Sequence, residues 1–216
     1  MSILSTQIEY ELSLFWKWAG ISEKQYSEHS WSNEYEEWEY PNWDTLICLF
    51  FTAVSALASG NCSELLVNYL LTGMALDNEG ETILDECEAK LSDKDIEFLF
   101  EIGVKHLPSE ARWQVAELIG RKDDKSFKKY LQDLLDDSNK YVQRRALLSL
   151  SRLDAEEAQE IAFKRLKDED DYIRLVSIRI LKEHNSQKLK EAVLILVNDK
   201  FEYVQDELKE IAILDL

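Results

Sequence analysis

Residues 31–44, WSNEYEEWEYPNWD, interleave five rings (Trp31, Tyr35, Trp38, Tyr40, Trp43) with five carboxylates (Glu34, Glu36, Glu37, Glu39, Asp44) and include no Lys or Arg. Residues of these types at this density are suited to recognition. Rings bury large areas at small entropic cost, and carboxylates beside them select a basic partner and speed its approach. All ten residues are therefore candidate partner-binding positions. A cap that only shields the end of a helical array would be covered more simply by Lys and Glu.

Catalytic chemistry has no comparable signal, so no catalytic residue, metal ligand or cofactor is expected. His29, His106 and His184 lack metal-ligand spacing, and six glycines in 216 residues leave little room for a phosphate-binding loop. His106 and His184 fall near helix ends, where the negative dipole should favour imidazolium. Pairs such as Glu36–Glu37 and Asp123–Asp124 suit solvated faces better than acid–base work.

Charge sharpens the picture. The net charge is −18, and residues 1–100 hold 19 acids against 4 bases, while residues 101–216 hold 24 against 21. Such a field repels nucleic-acid phosphates and anionic lipid and draws in cations, so neither nucleic acid nor membrane is an expected partner. The N-terminus lacks the basic start and cleavage site of a secretion signal. The apolar run LICLFFTAVSALA (46–58) would rise only about 20 Å as a helix, short of a bilayer core of about 30 Å. It reads as a buried helix, with Cys48 as a small core residue. Three cysteines without C-x-x-C spacing point to a reducing, cytoplasmic setting.

The elements that hold these residues follow from a 31-residue period. With lines begun at Asp93, Asp124, Ala155 and Ser186, apolar columns align: Ile96/Phe127/Ala158/Leu189, Leu99/Tyr130/Ile161/Ala192, Phe100/Leu131/Ala162/Val193 and Val104/Leu135/Leu166/Val197. They form one helical stripe. A second stripe runs through Ala111/Val142/Ile173/Val204, Val115/Ala146/Ser177/Leu208 and Ile119/Leu150/Leu181/Ala212. It is preceded by Tyr141, Tyr172 and Tyr203, and by Asp137, Asp168 and Asp199. Each line is helix, turn, helix. Neighbours must stack to bury both stripes, and the recurrent Asp is expected to accept backbone N–H groups at the start of the second helix.

The segments SEARWQVAELIG, DSNKYVQRRALLSL and DEDDYIRLVSIRIL resemble HEAT-like repeats of the short type also found in phycobilin lyases. The resemblance covers residues 93–216 and implies an all-α fold, an α-solenoid of helical hairpins. The usual Pro survives once, as Pro108. The usual Arg early in the second helix survives at Arg112 and Arg174, with Gln143 and Gln205 in the other lines. Residues 1–92 lie outside the period and are expected to form an irregular helical N-terminal cap, with helices over 6–19 (closed by Gly20), 43–58, 63–76 and 81–91. Together with the four repeats they should make one continuous domain.

The function expected from these features is that of a non-enzymatic inhibitor. Small acidic helical-repeat proteins resemble bacterial immunity proteins, and the acidic, aromatic stretch suits the cationic active site of a nuclease-type toxin. The alternatives are an adaptor that holds a peptide or protein on a concave face, with Arg112, Arg144 and Arg174 as its candidates, and a chromophore-lyase-like protein.

Overall fold

The computed structural model describes residues 2–28 and 36–213; Trp31, Glu34 and Tyr35 lie outside the described residues. The fold is an all-α solenoid of helical hairpins, with thirteen α-helices and no strand among the described residues. The chain divides into two compact units, Met1–Leu118 and Ile119–Leu216, and the division falls inside a helix.

The first unit holds α1 (Ile3–Ala19), α2 (Glu23–Glu28), α3 (Trp43–Ala58), α4 (Glu64–Leu76), α5 (Thr82–Lys90), α6 (Asp93–Gly103) and most of α7 (Ser109–Arg121). Local chemistry sets their ends. Ser2 Oγ accepts the Ser5 N–H at the start of α1, and Gly20 closes it at φ 70°, where a side chain would be strained. Ser63 caps α4 in the same way. α1 packs on α3 and α4, which pack on each other. Ile8, Phe15, Phe50, Leu70 and Met74 are fully buried there. Gly73 lets α3 and α4 approach closely: a Cβ on it would stand 2.8 Å from the Phe50 ring. The LICLFFTAVSALA helix is buried along one stripe only, so Cys48 is exposed rather than a core residue. The buried thiol is Cys87 on α5.

The second unit continues with a 3-10 turn (Lys125–Tyr130) leading into α8 (Leu131–Leu135), then α9 (Lys140–Leu153), α10 (Ala155–Arg165), α11 (Asp171–Glu183), α12 (Leu189–Leu196) and α13 (Glu202–Ile213). The hairpins fall on the 31-residue lines, and most column residues are buried. In the fourth line Val197 and Ala212 are exposed, because no further hairpin covers them among the described residues. Gly120 meets Ser149 so closely that an added Cβ would sit 2.6 Å from its Oγ.

The recurrent Asp sits two residues ahead of the cap. Asp137, Asp168 and Asp199 each take the N–H of the residue two positions on, at 2.8–2.9 Å. This is an Asx turn. The helix N-terminus itself is capped by Asn139 in α9 and by Asp170 in α11.

Candidate functional site

The described part of the acidic–aromatic stretch divides into an inward and an outward face. Tyr40 turns inward: its hydroxyl donates to Glu11 Oε1 at 2.8 Å, and its ring packs edge-on against Phe15 with centroids 5.3 Å apart. Asn42 Nδ2 donates to the same Glu11 oxygen at 3.1 Å, which pins the segment to α1. Glu37, in a 3-10 turn (Glu37–Glu39), is 5% exposed. Glu36, Trp38, Glu39 and Asp44 are exposed, and Trp43 is half-buried. Trp38 keeps 57% of its surface in solvent.

Trp38 and Trp43 line a cleft of about 530 Å³ together with Ile47 and Phe51 of α3. Carboxylates of Glu37, Asp44, Asp77 and Glu79 share its walls, and no Lys or Arg among the described residues does. These acids have different duties. Asp77 is structural: its Oδ2 accepts from Thr82 Oγ1 at 2.7 Å and from the Ile83 N–H at 2.9 Å, fixing the start of α5. Burial lifts its pKa above the ordinary carboxylate range. Glu37 is pushed up to about 7, first by burial and then by the nearby charges of Glu36 and Glu79. The Tyr26 hydroxyl lies 3.4 Å from Glu37 Oε1 but donates its proton to the Ala75 carbonyl at 2.9 Å. Asp44 and Glu79 have no ion-pair partner among the described residues.

The concave-face candidates have other surroundings. Arg112 Nη1 donates to the carbonyls of His106 and Leu107 at 2.8 and 2.6 Å. Gln143 Nε2 donates to Asp137 O at 2.6 Å, Arg174 Nη1 to Asp168 O at 2.9 Å and Gln205 Nε2 to Asp199 O at 2.9 Å. In every repeat the same position thus clamps the carbonyl six residues back, across its own hairpin turn. This explains why Arg and Gln alternate there: either side chain brings an N–H donor to that carbonyl. Arg174 also meets both Asp199 oxygens, at 2.6 and 2.9 Å. Arg144 lies between the rings of Tyr141 and Tyr172, 4.9 and 4.6 Å from their centroids.

Two features carry more than their sequence signal showed. The tyrosine column forms an exposed row: Tyr141, Tyr172 and Tyr203 are 37–48% exposed, and Phe201 bridges the last two at 4.9 and 5.1 Å. The 31-residue spacing was the signal for it. His106 is not held as imidazolium at its helix end; burial, then the Arg112 guanidinium, push its pKa down to about 4. Desolvation outweighs the helix dipole there.

No helix among the described residues is long and apolar enough to cross a membrane, and no group of them could hold a metal ion. Among curated proteins, none matches the chain. Residues 96–174 match the family model described as HEAT repeats. Over that stretch the chain is similar to HEAT repeats, and its stacked hairpins make it HEAT-like, the kind of fold that serves as a protein-binding scaffold.

Proposed function

We propose that the chain is a non-catalytic, cytoplasmic protein-binding inhibitor whose acidic, aromatic cleft captures a basic protein. In its sharpest form it is an immunity protein occluding the cationic active site of a nuclease-type toxin. One observation carries this reading: Asp44 and Glu79 stand without a cation among the described residues, beside an exposed tryptophan. Leaving charge unpaired next to an exposed indole makes sense where a cationic surface will cover both. Three free cysteines accord with the reducing compartment. A tetrapyrrole is poorly suited to the same cleft, since its propionates would meet like charge.

The test is calorimetry with the product of the gene beside the chain's own, which this reading expects to carry a basic nuclease domain. Affinity should fall steeply as salt rises. Asp44→Lys with Glu79→Lys should cost roughly 3 kcal/mol, about a hundredfold in Kd. A complex indifferent to both salt and the double reversal would defeat the reading.

A second reading, an adaptor, is favoured by the row of Tyr141, Tyr172 and Tyr203. It predicts the opposite pattern, with binding lost on Tyr172→Ser and Arg144→Gln and retained after the cleft reversals.

A further inference from the structure

Acids in the unit of residues 119–216 commonly meet a base within the molecule. Asp199 meets Arg174, Glu207 meets Lys182 and Arg179, and Asp154 and Glu157 meet Lys128. The cleft of the first unit departs from that pattern. Asp44, in the first turn of α3, and Glu79, in the turn between α4 and α5, supply carboxylates from two separate elements. The rings of Trp38, Trp43 and Phe51 lie along the same cleft, and Glu37 adds a third carboxylate.

We propose that this cleft seats one arginine side chain of the basic partner, a proposal that rests on the reading above. The guanidinium lies against the indole faces and donates to Asp44 and Glu79. Charge complementarity selects a cation, and the rings select its shape. A guanidinium is planar, weakly hydrated and able to stack while its fork bonds a carboxylate in plane, whereas an ammonium is a compact, strongly hydrated point charge. The protein already sets a guanidinium against rings elsewhere, where Arg144 lies over those of Tyr141 and Tyr172. At about 530 Å³ the cleft exceeds one side chain and leaves room for the backbone that flanks it.

The experiment follows the tryptophan indole N–H signals of the full chain by NMR during titration with acetyl-Gly-Ser-Arg-Ser-Gly-amide and its lysine and citrulline counterparts. The arginine peptide should shift Trp38 and Trp43 saturably. Lysine should bind at least fivefold more weakly, and citrulline, neutral and nearly isosteric, should produce no shift. Asp44→Asn with Glu79→Gln should abolish the arginine response while the other indole signals keep their wild-type positions, showing that the fold is intact. A citrulline or lysine response equal to that of arginine, or one that survives the double variant, overturns the proposal. If the arginine peptide leaves both indoles unmoved while the nuclease domain still binds in a salt- and Asp44/Glu79-dependent way, the arginine seat fails and the inhibitor reading stands. If neither ligand responds to those two carboxylates, both fail.

Discussion

Arg174→Ala is expected to destabilise the protein by about 3–5 kcal/mol, the usual cost of stranding one member of a buried ion pair. The Arg174 side chain is 14% exposed and that of Asp199 only 5%. The guanidinium holds the Asp199 carboxyl below its ordinary range, and it also satisfies the Asp168 and Glu169 carbonyls. Removing it leaves the largely buried Asp199 carboxylate without its counter-charge and the part-buried Asp168 carbonyl without its donor. Arg174→Gln separates these roles. Gln143 and Gln205 show that glutamine can serve the clamp, so this variant should keep the turn, lose the Asp199 pair and fall between wild type and alanine. Urea unfolding of the three proteins at pH 7 checks the order. Equal stability of alanine and wild type would mean that the clamp contributes nothing.

Glu37→Gln should stabilise the fold, and only above mildly acidic pH. Glu37 has an ordinary pKa of 4.5 and a folded value of about 7, so folding takes up a proton between those values. The sign follows from linkage: stability falls as pH rises through that window and stays reduced above it. Glutamine removes the charged form that burial penalises. The two proteins should be alike near pH 4 and differ by about 1–3 kcal/mol at pH 8. Asp77, raised by the same cause, is present in both and cancels. Melting curves from pH 4 to 9 would show the divergence, and a constant offset across that range would refute the assigned cause.

Much of the architecture is legible in residue spacing. The period of 31 places all four hairpins, Gly20 marks the end of α1, and the SGN break at residues 59–61 separates α3 from α4. These succeed because each rests on a local rule: helical period, left-handed cap, turn. Legibility fails where a side chain serves two places at once. Arg112 and Arg174 look like surface cations in sequence, but their carbonyl acceptors lie five or six positions back, in a turn, where no apolar period betrays them. The recurrent Asp is displaced from the cap by two residues because its carboxylate shapes the turn, leaving Asn139 or Asp170 to end the ladder. In the acidic–aromatic stretch the composition pointed to a partner surface. Composition could not separate Tyr40, which turns inward, from Trp38 and Asp44, which face the cleft, or from Glu37, which is buried in its wall. That division depends on Glu11, some thirty residues earlier and on another helix.

The way the fourth hairpin is fastened has a consequence for its order. α13 is tied to α11 by Lys182 to Glu207 and Glu210 and by Arg179 to Glu207, and Arg174 reaches the Asp199 turn, while Val197 and Ala212 are left open. Several of these ties are partly wet, and at 1 M electrolyte the screening length shrinks to about 3 Å. Backbone amides of residues 202–211 should then exchange with deuterium faster, with those of α3 and α4, which hold no ion pair among the described residues, unchanged. The far hairpin would be the section whose fraying responds to the ionic strength of its surroundings.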